Sequence, residues 1–189
     1  MPSARGTLDW SPGASHPELV APSVAAALAE AAIPTPEAAG DSGVAAAEVA
    51  SIDETLADTE AFCAAYDVAP GASANCVIVA GKRAGETTYA AVMVLASDRA
   101  DVNGVVRRHL GVRKISFAPH DDAVSLTEME FGGITPIGLP AAWPVLVDAA
   151  VVAAGAVVIG SGLRRSKLLV EGAALAKLPN ATVLELRQP

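Results

Sequence analysis

The chain is expected to be an α+β protein: a mixed, mainly antiparallel sheet with packed helices and an N-terminal helical arm. Three observations point there. Two β-rich runs, "NCVIVAGK" (75–82) and "TTYAAVMVLAS" (87–97), are joined by "RAGE" in the pattern of a hairpin. The later strands are separated by single helices without the strict βα alternation of a parallel sheet. The most apolar window, "AAWPVLVDAAVVAAGAVVIG" (141–160), approaches membrane-spanning length, yet Pro144, Asp148 and Gly155 interrupt it at strand-like intervals. It therefore reads as two buried strands.

In chain order, residues 1–50 are rich in Ala and Pro. They carry a predicted helix at Ser23–Ala32 and a connector, "IPTPEAAGDSG" (33–43), and form the arm. The body spans 51–189, long enough for one buried core. A helix starts near Asp53, with Leu56, Phe62 and Tyr66 on its apolar side, and ends before "APGAS". After the hairpin, Asp98 or Asp101 caps a helix running to Leu110, stopped by Gly111. "KISFA" is a short strand and "PHDDAVSLTEME" a helix. "PVLVD", "AVVIGS" and "SKLLV" are strands, "EGAALAKL" a short helix and "ATVLEL" the last strand.

Composition describes a soluble globular protein: 52% apolar residues, inflated by Ala, and 18% charged. "MPSARGTLDW" fits neither a signal peptide nor a transit peptide, so a cytoplasmic location is expected. Cys63 and Cys76 have neither redox-pair nor zinc-site spacing and are expected as thiols. The net charge of −8 is unevenly spread. Residues 1–81 hold eleven acids and only Arg5, whereas from Lys82 onward there are twelve Lys or Arg against ten acids. That suffices for a few phosphates but not for coating a duplex.

Three islands stand at predicted strand ends: "SANC" (73–76), "FGGITPIGLP" (131–140) and "GSGLRRSKL" (160–168). In the second, Gly132, Gly133 and Gly138 open backbone angles closed to other residues, while Pro136 and Pro140 fix φ. It is either an ordinary pair of turns or a backbone surface against which a ligand carbonyl or phosphate can lie. Asp98 and Asp101 either cap a helix or orient substrate. Asp148, at the end of an apolar run, belongs to a site or a turn rather than the core. Cys76 is a strand core residue or a nucleophile without a nearby His. Arg164 and Arg165, after Gly160 and Gly162, form a solvated edge or a phosphate cradle. Lys167 is an exposed strand lysine or a cation reaching the site. For His109, His120, Asp121 and Asp122, helix-face and capping roles suffice, and no metal is expected.

Together and in this order, with "LASDRADVNGVVRRHLGVRKISFA" (95–118) and "VLVD" (145–148), these segments resemble the YbaK/EbsC-like aminoacyl-tRNA deacylases, the family that includes the prolyl-tRNA synthetase editing domain. The resemblance runs from about Ala72 to Leu186. It implies that family's mixed-sheet fold and hydrolysis of the ester joining a wrong amino acid to the terminal adenosine of a tRNA. It also implies the aminoacylated CCA 3′ end as partner, with no DNA, membrane, metal or cofactor, and a vicinal ribose hydroxyl assisting the attacking water. An aminoacyl ester is already activated, so placing water and steadying the carbonyl oxygen suffices, and backbone N–H groups can do much of that. His16, His109 and His120 sit in no triad-like context.

Resemblance and loop chemistry together assign catalysis to Asn75 and to the Gly132, Gly133 and Ile134 backbone, where a side chain at Gly133 would occupy the ester's place. Substrate binding is assigned to Asp98, Thr135, Pro136, Asp148, Gly160, Ser161, Gly162, Arg164, Arg165 and Lys167. Many relatives carry Lys where this chain has Asn75, and an amide donates hydrogen bonds without charge. Lys167 can replace that charge from a neighbouring strand. The expected function is a free-standing deacylase for a tRNA mischarged with a small amino acid. The alternatives are a non-catalytic aminoacyl-tRNA or nucleotide-ester binding module, with Asn75 marking lost activity, and a small-ester hydrolase using Cys76.

Overall fold

The computed structural model describes residues 3–31 and 46–188. The expected connector at 33–43 and the end of the first helix at Ala32 lie outside the described residues.

Two sheets carry the fold. The larger contains β3 (Ala74–Arg83), β4 (Glu86–Leu95), β5 (Lys114–Phe117), β6 (Val145–Asp148) and β9 (Ala181–Leu184) in the order β5-β3-β4-β6-β9. Its β3–β4 and β3–β5 pairs are antiparallel, and β4–β6 and β6–β9 are parallel. The hairpin turn places Ala84 (φ 52°) and Gly85 (φ 89°) consecutively in the left-handed region, the type I′ geometry that matches strand twist. The smaller sheet, β1 (Ser11–Pro12), β2 (Glu48–Ser51), β8 (Ser166–Glu171) and β7 (Ala156–Gly160), runs β1-β2-β8-β7 and is antiparallel throughout. A bridge between Ser73 and Val158 joins the two sheets where β3 begins.

Residues Ala90–Leu95 are all buried because both faces of β4 are covered. Ala91, Met93 and Leu95 enter the main core with Val145, Val147, Val157, Ile159 and Leu168. Val92 and Val94, one residue out of phase, pack on the opposite face with Val102, Val106 and Leu186. Behind the smaller sheet, Val158 and Leu169 meet Phe62 and Cys63 of α2 (Thr59–Tyr66). Helix α1 (Pro22–Ala31) buries Val24 and Leu28 in the main core.

The expected α+β class and mixed sheet are observed, with differences in detail. The arm over 1–50 was expected to be helical, but β1 and β2 are strands of the smaller sheet. Asp53 caps a 3-10 turn at Glu54–Leu56 rather than a helix, accepting from the Thr55 N–H at 2.9 Å, and α2 begins only after Asp58. Of the two candidate caps near residue 100, Asp101 does the work, accepting from the Gly104 and Val105 N–H groups. The helix it starts is a π-turn, Val102–Val106, running into α3 (Arg107–His109) and ended by Gly111 at φ 64°. Helix α4 (His120–Thr127) precedes the glycine loop, α5 (Ala149–Ala153) follows β6, and α6 (Gly172–Leu175) follows β8.

Candidate active site

The start of β3, the end of β7 and the start of β8 converge where the sheets meet, and the 131–134 loop closes the gap. The resulting pocket holds about 500 Å³, within the range of small-ligand sites. Its walls include Thr59, Asn75, Cys76, Gly132, Ile134, Gly160 and Lys167, with Phe117 and Phe131 exposed at its edge.

Glycine makes this junction possible. The loop and the "GSG" segment are zipped backbone to backbone: Glu130 N–H donates to Gly162 O at 2.9 Å and Gly162 N–H to Gly133 O at 2.7 Å. A β-carbon on Gly133 would stand 2.6–2.9 Å from the Leu163 backbone, and one on Gly160 would press on the Gly133 and Ile134 carbonyls. The expectation that the loop glycines leave their N–H groups open needs correcting at Gly133, whose N–H donates to Glu130 O at 2.9 Å and closes a turn. The Gly132 and Ile134 N–H groups make no hydrogen bond among the described residues. Gly132, at φ 87°, lies on the pocket wall with Ile134.

Asn75 is half-buried, and its Oδ1 accepts from the Thr59 hydroxyl at 2.6 Å. Thr59 thereby fixes the amide, whose NH₂ has no partner among the described residues. Lys167 is 7% exposed rather than a surface lysine. Its Nζ donates to Ala57 O at 2.8 Å and stands 5.2 Å from the Phe62 ring centroid. Burial, then the Arg164 charge, lower its pKa to about 8, against the pull of Asp58 and Cys63. Cys76 lines the same pocket, but burial pushes its thiol up to about 12, which removes the thiolate that a cysteine nucleophile needs.

The other expected site residues are dispersed. Arg164 acts as a strut: Nη1 donates to Phe131 O at 3.2 Å and Asp58 Oδ1 at 3.3 Å, Nη2 donates to Glu54 O at 3.2 Å, and its own N–H donates to Glu130 at 2.6 Å. Arg165 points to the N-terminal segment, donating to Glu18 O at 2.8 Å, so the pair forms no joint phosphate cradle. Ser161 is buried and bonded to Ser166 at 2.7 Å, and Gly162, at φ 85°, packs on Ala21. Thr135 is buried with its hydroxyl unpartnered among the described residues, and Pro136 lines a second cavity beside α1 and Trp143. Asp98 lies in a separate depression with Arg99, Glu185 and Arg187. Asp148 is fully buried outside the pocket, capping α5 through Ala150 N–H at 2.8 Å and accepting Leu186 N–H at 2.7 Å.

Sequence reasoning missed Thr59, Phe117 and Phe131. Thr59 carries no local signal. The two phenylalanines had one: each stands beside a loop, "FAPH" and "FGG", in a chain with only three Phe. Among the described residues no group of three or more His, Cys, Asp or Glu could hold a metal ion, and no helix is long and apolar enough to cross a membrane.

The fold is that of the aminoacyl-tRNA deacylases. The chain is a member of the aminoacyl-tRNA editing domain family, whose model matches residues 53–178, two-thirds of its length. No curated protein sequence matches it. Among solved structures it is similar to a protein assigned as a trans-editing enzyme for prolyl-tRNA synthetase, with 19% identity and a TM-score of 0.71 over 96% of this chain and 100% of that one. A scaffold protein from epitope backbone grafting superposes with 20% identity and a TM-score of 0.72, over 89% and 97% of the two chains. A hypothetical protein, APE2540, does so with 19% identity and 0.66, over 74% and 90%. At these identities the likeness carries the fold.

Proposed function

We propose that the chain is a trans-editing deacylase that frees a small amino acid, wrongly attached, from the 3′ end of a tRNA in the cytoplasm. One observation supports this most: Asn75, Lys167, Gly132 and Ile134 line one pocket of about 500 Å³, and the Gly132 and Ile134 N–H groups make no hydrogen bond among the described residues. The ester carbonyl lies against the 132–134 backbone, whose donors hold the oxygen as it becomes negative. The Asn75 amide, set by Thr59, orients the substrate. A ribose hydroxyl beside the ester assists the water, so no histidine base is required. Ala74, Cys76, Ala123 and Ile134 leave an apolar wall suited to a small side chain. The trans reading is supported by the end-to-end match with a protein assigned that role.

Asn75→Ala is expected to slow deacylation by about ten- to a hundredfold, the value of one neutral hydrogen bond to bound substrate at about 1–3 kcal/mol. Asn75→Lys is expected to give no gain, because the longer cation must be desolvated in a pocket that already holds Lys167. Single-turnover release of amino acid from a panel of aminoacyl-tRNAs tests both. Tight binding with no release by the wild type, and release restored by Asn75→Lys, would establish the binding module instead.

A further inference from the structure

A buried ammonium ordinarily has a carboxylate beside it, because withdrawing a charge from water is unfavourable unless it is paired. Lys167 has none. It sits on β8 opposite Ala50 and Gly160, 7% exposed, and no carboxylate forms an ion pair with it among the described residues. Asp58, the carboxylate that pulls on it, is itself bonded to Arg164. One hydrogen bond, to Ala57 O, and the Phe62 ring are its fixed partners, so two of its three N–H donors have no acceptor among the described residues. Packing gives no reason for a charge here; the pocket that Lys167 lines does.

We propose that Lys167 is a catalytic residue of this chain, its ammonium donating to the ester carbonyl oxygen as that oxygen becomes negative, alongside the Gly132 and Ile134 N–H groups. The proposal rests on the ester-hydrolysing reading of the pocket. Water bonds to the carbonyl carbon, the π pair moves to the oxygen held by Lys167, and collapse restores the carbonyl while breaking the bond to the ribose oxygen. That oxygen leaves with the proton water gives up, and Lys167 ends protonated as it began. Its depth suits the ester oxygen better than a phosphodiester, which keeps contact with water.

The charge must be present for this role. Facing Lys167 are Arg164 from the preceding turn, Asp58 before α2, Cys63 on α2 and Cys76 on β3. Both thiols are pushed up by burial, Cys76 to about 12, so neither ionises near neutrality. The ammonium is present below about 8 and lost above it, and the protein-dependent rate therefore falls as pH rises through about 8.

The test compares wild type, Lys167→Met and Lys167→Arg in single-turnover deacylation of one mischarged tRNA, with spontaneous ester hydrolysis subtracted at each pH. Lys167→Met is expected to lower the maximal rate about a hundredfold with little change in KM, and to melt no lower than wild type, since an unpaired buried charge has been removed. Lys167→Arg is expected to retain part of the rate and to lose the fall near pH 8, because a guanidinium stays charged there. A fully active Lys167→Met, or a wild-type rate that rises through about pH 8, would overturn the proposal. A defect confined to KM would overturn it by assigning the contact to a phosphate. A wild type that releases nothing from any tRNA would remove the ester reading and the proposal together, whereas an active Lys167→Met removes only the role of Lys167.

Discussion

Gly160→Ala is expected to abolish deacylation while leaving most of the fold in place. The added methyl would point from the end of β7 into the Gly133 and Ile134 carbonyls, 2.6 Å from the latter. Backbone lies on both sides of that contact, so no side-chain rotation relieves it, and the loop must move outward. Gly132 and Ile134 travel with the loop, so both proposed oxyanion donors leave their places at once. A shift of about 1 Å costs about a hundredfold and loss of one donor about as much or more, so a drop of about a thousandfold is expected. Gly71→Ala is the control, because a methyl there meets nothing within 4 Å. Single-turnover rates on one mischarged tRNA, with melting temperatures, check the pair. A Gly160→Ala protein within about tenfold of wild type would show that the loop does not position the ester. Gly133→Val should lose turnover too, but through the framework, because its β-carbon meets the Leu163 backbone at 2.6–2.9 Å before it meets any ligand.

Asp148→Ala is expected to destabilise the protein by about 3 kcal/mol, the combined loss of a helix cap and of an acceptor for a buried N–H. One carboxylate oxygen accepts from Ala150 N–H at 2.8 Å and the other from Leu186 N–H at 2.7 Å, so a single side chain starts α5 and pins the C-terminal segment beside β6. Asp148→Asn keeps one accepting oxygen and should lose about half as much. Urea unfolding gives the values, and the folded variant should deacylate at the wild-type rate because the carboxylate lies outside the pocket. A stable but inactive Asp148→Ala would return the residue to the substrate.

Much of the fold was legible because its signals are local. The hairpin shows in its β-rich runs and the "RAGE" turn, and strands β6 and β7 in the punctuation by Pro144, Asp148 and Gly155, although the short helix α5 between them was not foreseen. Strands β1 and β2 were not legible. "EVAS" has no strong pattern and becomes a strand because β8 offers it an edge, a partner more than a hundred residues away. The site was legible as segments and not as side chains. Sequence marked "SANC", the glycine loop and "GSGLRRSKL" at strand ends, and the structure brings residues of all three to one pocket, yet direction decides what each residue does. Arg164 and Lys167 stand three apart, and one ties the loop to Glu54 and Asp58 while the other enters the pocket. Nothing local in the sequence distinguishes them, because the difference is set by tertiary placement: Arg164 lies in the turn before β8 and Lys167 on β8 itself. Asp148 looked available because buried carboxylates are rare; two backbone N–H groups, one of them 38 residues away, and the Arg187 guanidinium 3.7 Å from Oδ1 account for it.

The most direct test of the central claim is single-turnover incubation of the wild-type protein with a panel of tRNAs, each charged correctly or with a small wrong amino acid, scoring release above the spontaneous rate. The expected result is rapid release of a small, wrongly attached amino acid from at least one tRNA, with the correctly charged form spared and with Gly160→Ala silent on the same substrate. Release from no member of the panel, or release undiminished in Gly160→Ala, would contradict an editing site built on the 132–134 backbone.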